Sequence, residues 1–583
     1  MFSLENRLRV ITLCLICFAL VLVGKLYFLQ VVQGSEFRTK AEHQYVTRYN
    51  YFDRGSIYFS TKDGSLVPGA TVKDGFLLSL NPSITRLMPD LEDVYSKLNT
   101  LAPLDKTTFF AKAKKENDTY EELSKHLDAK VGQAIQALKI TGVRADRERW
   151  RTYPGQSMAS HTLGLVGYGS GNTLTGQYGL ERFYENTLKR DKDSTFSNFF
   201  VEIFSNLQSV VSDSSAVQGD LVTTIEPSVQ AFLERELSQV TNKYSSEFTG
   251  GVVIDPNTGE IVAMALTPSF DPNSPQNAPN ASVFRDRLVE DRYEMGSIIK
   301  SLTYAIGLET KSITPQMTYN DPGCMTLDKK TFCNYDQKSH GSGVTMQTAL
   351  GQSLNTGAAL VAQRVGTKRF NEMLLNFGLE EKTGIDLPNE GASLTSNLHT
   401  NRDLEAAQAS FGQGVALTPI ATVRALSSLA NGGTLITPHL VKEIKFKIGG
   451  GKTISYPKPE ERKRVLSEEA SGEISKMLVE VVDKSLRNGT VSLPNYSVAA
   501  KTGTAQIANP GGRGYYEDRY LHSFFGYFPA YNSRFLVFLF TYYPKNVQFA
   551  SETLTDSFFN ITKFLINYYE IPPDRERVTA KGI

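Results

Sequence analysis

Two side chains three positions apart, Ser297 and Lys300, give the first hint of chemistry in this chain. They lie in Tyr293-Glu294-Met295-Gly296-Ser297-Ile298-Ile299-Lys300, and the apolar run after it, 301–308, predicts a helix. With Ser297 in the first turn, Lys300 falls one turn on, on the same face. A serine at a helix start has an ordinary role as N-cap. Beside a buried lysine it becomes a nucleophile, because burial lowers the lysine pKa and a neutral amine can take the hydroxyl proton. Ser-x-x-Lys alone arises by chance at average residue usage, so the rest of the sequence must choose.

Two later stretches supply the partners. Ser353-Leu354-Asn355 stands at a break between helix-like segments 345–354 and 357–366. Lys501-Thr502-Gly503-Thr504 lies in a strand-like run, 496–507, followed by strand-like runs at 523–529 and 534–543. Acyl transfer needs a nucleophile, a base, a proton donor to the leaving amine and an oxyanion hole. Ser297 is the candidate nucleophile and Lys300 its base. Ser353, with Lys501, is expected to relay a proton to the leaving group, and Asn355 to hydrogen-bond Lys300 and the substrate amide. Thr502 and Thr504 suit a terminal carboxylate, with Lys501 adding positive charge. Gly503 has no side chain, so an extended substrate is expected to lie close against the strand edge. The backbone N–H groups of Ser297 and Thr504 are the expected oxyanion donors. No cofactor and no metal ion enter this scheme.

Context separates these stretches from look-alikes. Lys382-Thr383-Gly384 repeats the triplet, but it follows Leu379-Glu380-Glu381 and precedes Ile385-Asp386-Leu387-Pro388, which predicts an exposed turn after a helix. Lys501 continues an apolar strand that can wall a cleft, so the site is assigned there. Gly449-Gly450-Gly451-Lys452-Thr453 resembles a phosphate loop, yet Phe446 stands where that pattern needs its first glycine, and a hairpin turn is the better reading. His161 reads as structural.

The elements that must position these residues can be followed along the chain. A chain of 583 residues exceeds one core and predicts at least two domains. Its net charge of +1 and the absence of an arginine-rich run give no footing to nucleic-acid binding. Residues 1–9 are short and basic, with Arg7 and Arg9, and 10–32 are almost wholly apolar. This predicts a single transmembrane anchor with 1–9 in the cytoplasm and everything after Gly34 outside. No Ala-x-Ala site follows, which disfavours a cleaved signal peptide. Residues 35–215 form a mixed region, with helices expected over 107–116 and 120–138 and a Ser-rich connection at 207–217. From 216 to 570 the order is a strand at 219–225, a helix from Pro227, a hairpin of strands 250–254 and 260–266, helices including 417–430, the late strands, and a helix at 552–568. That order predicts an α/β or α+β domain, with a tail at 571–583. Cys14 and Cys17 lie in the apolar run. Cys324 and Cys333, in a polar loop, are a candidate disulfide, with free thiols as the alternative; with one nearby histidine, His340, they fall short of a zinc set.

Ser-x-x-Lys, Ser-x-Asn and Lys-Thr-Gly in this order are the signature of serine enzymes that react with penicillin. The chain resembles a class B penicillin-binding protein, a monofunctional peptidoglycan D,D-transpeptidase, over nearly its whole length. Arg54-Gly55-x-Ile57, Arg151-x-Tyr153-Pro154 with His161 and Gly164, and Gly179-Leu180-Glu181-x-x-Tyr184 resemble the family's non-catalytic pedestal. Thr224-Ile225-Glu226 with Gln230, and the 250–266 hairpin, resemble the start of its transpeptidase domain. Gly412-Gln413-Gly414 with Thr418-Pro419 resembles a segment behind its active site. The resemblance implies a penicillin-binding, serine β-lactamase-like α/β (α+β) transpeptidase domain, a mixed α/β pedestal and one transmembrane helix. It implies acylation of Ser297 by a peptidoglycan stem peptide ending in D-Ala-D-Ala, loss of the terminal D-Ala, and attack by an amine from a neighbouring strand. β-Lactams would acylate the same serine. It further implies a single-pass protein of the bacterial cytoplasmic (inner) membrane, with the catalytic domain outside. Because the chain shows no polymerase domain, a polytopic lipid-linked glycan polymerase of the SEDS family is the expected partner. The resemblance does not choose among division, elongation and sporulation.

The departures touch shape more than chemistry. Met295 stands where the family usually has proline, Ile298 where threonine is common, and Glu226 in place of the usual aspartate. Lys62-Asp63-Gly64 replaces the usual Arg-Asn-Gly. A serine β-lactamase would need a carboxylate to activate water; Glu390 is the nearest candidate but belongs to a stretch, 384–390, that resembles the transpeptidases. A D,D-carboxypeptidase, with water as acceptor, is one alternative. A non-catalytic scaffold or β-lactam sensor is another, and it would be marked by loss of a catalytic group and, for a sensor, by a cytoplasmic signalling domain.

Overall fold

The computed structural model describes Phe18, Lys25 and residues 52–169, 173–190, 218–446, 450–454, 461–509, 511 and 514–575. The expected anchor at 10–32 with Cys14 and Cys17, the connection at 207–217 and the tail beyond 575 lie outside the described residues, apart from Phe18 and Lys25. Among the described residues no helix is long and apolar enough to cross a membrane.

The chain divides into two compact units, Met1–Asp53 with Val72–Trp150, and Arg54–Thr71 with Arg151–Ile583. These cuts differ from the expected boundary at 215/216, and the reason is local. The strand Ile57–Ser60 runs parallel to Gly219–Thr223, which in turn pairs antiparallel with Val441–Phe446. The segments before and after residue 216 therefore share a sheet inside the second unit.

In the first unit, residues 76–80 pair antiparallel with Glu121–Leu127. Helices Leu91–Leu101, Lys106–Ala113 and Ala129–Ala137 close over Phe76, Leu78, Leu98, Phe109 and Ile135. The helix expected over 120–138 is corrected here to a strand followed by a shorter helix. Cross-strand pairing overrides the helical propensity of Glu121–Leu127, and the helix begins only after Asp128.

The second unit holds a buried charge cluster. Glu181 accepts from Arg54 Nε at 2.5 Å, Arg151 Nε at 2.6 Å and the Tyr153 hydroxyl at 3.2 Å. Burial alone would raise the Glu181 carboxyl, but the Arg151 and Arg54 guanidiniums outweigh it and hold it below the usual range. Removing one member of such a set leaves buried charge without a partner. Glu181→Ala is expected to destabilise this unit by about 3–5 kcal/mol, read as a lowered denaturation midpoint; an unchanged midpoint would discount the cluster as a stabilising element. His161 is buried, with Nε2 2.8 Å from the Val283 carbonyl, and burial lowers its pKa to about 4. It is a structural histidine, as the sequence suggested.

The framework of the site is a five-stranded antiparallel sheet in the order Ala499–Ala508, Tyr515–Phe528, Phe535–Tyr542, Phe248–Ile254, Ile261–Thr267. The Phe535–Tyr542 strand, Phe-Leu-Val-Phe-Leu-Phe-Thr-Tyr, is apolar on both faces because helices cover both sides of the sheet. One side takes Pro227–Tyr244 and Thr555–Tyr568, with Leu233, Leu237, Phe558 and Leu565 packed on Val253, Phe524 and Val537. Glu226 begins the first of these helices by accepting from Val229 N at 2.7 Å, so the substitution for aspartate keeps the cap. The other side carries Lys300–Glu309, whose residues 300–307 are all buried. Leu302, Tyr304, Ala305 and Ile306 supply its apolar surface, while Lys300, Ser301 and Thr303 are buried polar residues. The Gly450–Thr453 strand pairs antiparallel with Val441–Phe446, so Gly450 and Gly451 belong to a pair of strands and not to a phosphate loop.

Candidate active site

Ser297 sits in a short 3-10 turn, Gly296–Ile299, that runs directly into the buried helix Lys300–Glu309. It caps neither segment through its side chain, which removes the ordinary explanation for a serine at this place. Met295 is fully buried, and its carbonyl accepts from Ser523 Oγ at 2.8 Å. Gly296 has φ of 63°, and an added Cβ would come 2.8 Å from the Thr504 carbonyl. The turn is thus pressed against the strand Ala499–Ala508, the strand at one edge of the sheet. Gly412 secures the turn from behind, accepting through its carbonyl from Gly296 N at 3.3 Å.

Ser353 arrives from a different element. The helix Met346–Gly351 ends in a double reverse bond, Leu354 N to Ala349 O at 2.9 Å and Ser353 N to Leu350 O at 3.1 Å. That motif needs a left-handed residue, normally glycine, and here Ser353 takes it with φ of 59°. The strained position is retained where the hydroxyl is wanted. The following helix, Asn355–Val365, starts at Asn355, so Ser353 and Asn355 are presented by one turn.

The two lysines converge on that turn. Lys300 Nζ donates to the Ser353 carbonyl at 2.5 Å, to Asn355 Oδ1 at 2.8 Å and to Ser353 Oγ at 3.3 Å. Lys501 Nζ donates to Ser353 Oγ at 3.0 Å and to the Thr502 carbonyl at 3.1 Å. Ser353 Oγ therefore bridges the two amines. Lys300 is fully buried, and burial together with the Lys501 charge depresses its pKa well below the ordinary lysine value. Lys501, 2% exposed, is lowered by burial to about 8. A neutral Lys300 can spend its hydrogens on its two shorter contacts and keep a lone pair for a hydroxyl proton. Lys501, lowered to about 8, keeps most of its charge at neutral pH. A lysine depressed by burial and a neighbouring charge, beside one lowered by burial alone, suits a base and an electrostatic partner.

Ser297, Ser353, Asn355, Lys501, Thr502 and Thr504 all line one cleft of about 1070 Å³. Ser297 is half-buried and reaches this space. Thr504 Oγ1 accepts from Ala550 N at 3.1 Å, which orients its hydroxyl hydrogen elsewhere. A Cβ at Gly503 would meet Ser523 Oγ at 2.4 Å, Met295 O at 2.7 Å and Ile298 N at 3.0 Å, so the missing side chain admits the nucleophile turn. On this strand the alternate residues Thr502, Thr504 and Gln506 line the cleft, together with Ala500 and Lys501.

The look-alikes fall elsewhere. Lys382 is exposed, and the backbone N–H groups of Thr383 and Gly384 donate to the Glu390 carboxylate at 2.6 and 3.2 Å. Glu390 thus closes the decoy turn and does not line the cleft. Cys324 and Cys333 are bonded, facing each other across the hairpin Cys324–Leu327 and Lys330–Cys333. Sequence reasoning missed Glu294, which accepts from Tyr515 Oη at 3.0 Å and Gly414 N at 3.1 Å and ties the hairpin that carries Lys501 to the nucleophile turn. No local signal marks such a link, because its partners lie far apart in the chain.

Comparison with known proteins agrees with this geometry. The profile of the penicillin-binding protein transpeptidase domain matches residues 249–560, and that of the penicillin-binding protein dimerisation domain matches 53–223. The chain is 31% identical over 453 residues to stage V sporulation protein D of Bacillus subtilis, covering 77% of this chain and 68% of that protein. It is 25% identical over 584 residues to the peptidoglycan D,D-transpeptidase FtsI of Buchnera aphidicola, covering 97% and 96%. The crystal structure of penicillin binding protein 3 of Mycobacterium tuberculosis complexed with aztreonam shares the fold, with a TM-score of 0.67 at 22% identity, over 90% of this chain and 98% of that one. With both domain profiles matched in order and a Ser-x-x-Lys, Ser-x-Asn and Lys-Thr-Gly set gathered around one cleft, the chain belongs to the class B penicillin-binding proteins.

Proposed function

We propose that this protein is a peptidoglycan D,D-transpeptidase working through an acyl-enzyme on Ser297. The observation that carries the reading is the convergence of Lys300 and Lys501 on Ser353 Oγ, with Asn355 Oδ1 accepting from Lys300, beside the cleft that Ser297 lines. Ser297 Oγ attacks the carbonyl of the penultimate D-Ala and gives its proton to neutral Lys300. The tetrahedral oxyanion is held by the backbone N–H groups of Ser297 and Thr504. The C–N bond to the terminal D-Ala breaks, and the leaving amine takes a proton relayed from Lys300 through Ser353 Oγ, with Lys501 steadying the relay. An acceptor amine then attacks the ester, loses its proton to the same base, and releases the cross-linked peptide while Ser297 regains its hydrogen. Lys501, Thr502 and Thr504 hold the terminal carboxylate, and Asn355 orients the substrate amide as well as Lys300. β-Lactams acylate Ser297 by the same attack and open their ring.

The organisation that goes with this reading is a cytoplasmic tail at 1–9, an anchor at 10–32, a pedestal at 35–215, a transpeptidase domain at 216–570 and a tail at 571–583. It makes the protein a single-pass protein of the bacterial cytoplasmic membrane with its cleft outside. A polytopic SEDS-type glycan polymerase would supply the strands that this chain cross-links. The sequence pattern of 10–32 and the two matched domain profiles support this organisation.

The deciding experiment supplies the purified full-length protein with a stem peptide ending in D-Ala-D-Ala and an amine acceptor. Cross-linked peptide and free D-Ala are expected together. Release of D-Ala with only hydrolysed peptide would replace the transferase reading by a D,D-carboxypeptidase. Release of neither, with no penicillin adduct on Ser297, would favour a scaffold.

A further inference from the structure

The turn that presents Ser353 and Asn355 is gripped by a hairpin that takes no part in the reaction as written. Its strands, Cys324–Leu327 and Lys330–Cys333, are closed by the Cys324–Cys333 bond. From its end, the Cys333 carbonyl accepts from Asn355 Nδ2 at 2.8 Å. That contact settles which way the amide faces. With Nδ2 turned to the hairpin, Oδ1 must face Lys300 Nζ, 2.8 Å away. The opposite orientation would set a carbonyl against a carbonyl and an amide N–H against an amine.

The grip continues through two more residues. Asn334, next to Cys333, accepts through Oδ1 from Thr356 N at 3.2 Å and donates through Nδ2 to both Asp321 oxygens at 3.1 and 3.0 Å. Asp321 is fully buried and also accepts from Thr356 Oγ1 at 2.5 Å, Gly323 N at 3.2 Å and His340 N at 3.0 Å. Every partner of the carboxylate is a donor, so an amide put in its place would turn N–H groups against N–H groups. We propose that Asp321 and Asn334, backed by the Cys324–Cys333 bond, are positioning residues that fix the Asn355 amide and through it the Lys300 amine. This rests on the acyl-transfer reading above. A buried network with every member satisfied has one arrangement, and the disulfide narrows the motion of the strand that offers the Cys333 carbonyl. A misplacement of about 1 Å in such a shell costs roughly 100-fold in rate.

The test uses the full-length protein in detergent and follows penicillin acylation, separating the saturating rate from the half-saturating concentration across pH. Asp321→Asn and Asn334→Ala are expected to lower the saturating rate roughly 10- to 100-fold and leave the half-saturating concentration near that of the wild type. They are also expected to move the acid limb of the profile to lower pH. Lys300 would lose an acceptor that favours its charged form, with the charge of Lys501 still facing it. The double variant Cys324→Ala/Cys333→Ala, which keeps the backbone carbonyl, should shift both readouts in the same direction by less. Wild-type rates and an unmoved acid limb in the two polar variants would overturn the inference. So would a loss of rate that follows the loss of folded protein in a thermal melt, with the limb unmoved. Should Asp321→Asn not fold, Asn334→Ala and the double cysteine variant decide. A wild-type protein that penicillin does not acylate at Ser297 would instead overturn the acyl-transfer reading itself.

Discussion

Ser297→Ala will lose covalent labelling by a fluorescent penicillin, and its acyl transfer will fall on the order of 10⁶-fold. The expected size follows from the nucleophile's place in the scheme. Without Oγ no ester forms, so the neutral Lys300 and the oxyanion donors have nothing to act on. The fold should be untouched. Ser297 is half-buried and caps neither the 3-10 turn nor the helix, so the alanine removes a hydroxyl that holds no element together. Labelling on a gel and a thermal melt of the same preparation are the two readouts needed. Persistent labelling of a folded alanine variant would move the nucleophile elsewhere, and the mechanism would fall with it.

Lys300→Met will lower acylation by roughly 10²- to 10⁴-fold, the range for a lost general base. Methionine is chosen because the site is fully buried and a long apolar chain avoids the cavity that alanine would leave. The same assignment fixes the shape of the wild-type pH profile. Lys300 must be neutral to act, and burial with the Lys501 charge depresses its pKa, so the rate rises with pH through that depressed value. Lys501 must be charged, and burial sets its pKa at about 8, so the rate falls as pH passes about 8. A bell is expected, with its alkaline limb owned by Lys501. In Lys501→Met the alkaline limb should vanish and the acid limb should move to higher pH, because the repelling charge on Lys300 is gone. An alkaline limb that stays near pH 8 in that variant would show that another group titrates there.

Much of the site was legible before any coordinate. Ser297, Lys300, Ser353, Asn355 and Lys501 could be gathered by chemical type, spacing and order, and the strand character around Lys501 separated it from Lys382. The hairpins and late strands of the sheet could be placed because their apolar runs end at turn residues. Glu121–Leu127 could not: its charged, mixed residues fit a helix as well as a strand, and only its pairing with residues 76–80 decided. Gly503 was ambiguous for a related reason. A glycine announces close approach, but the chain does not say of what, and here it is the Met295 carbonyl and the Ile298 amide.

The sequence by itself determined the family and the candidate reactive groups, because a serine, two lysines and an asparagine can do this chemistry only in certain combinations, and those combinations are written in order along the chain. Tertiary structure alone decided how the lysine pKa values are lowered and what supports the side chains. The Lys300 pKa is depressed by complete burial beside Lys501, which comes from another element some two hundred residues on. Asn355 faces Lys300 because the Cys333 carbonyl holds its other end. Solvent exclusion and hydrogen-bond direction are properties of packed neighbours, and no local pattern of residues encodes them.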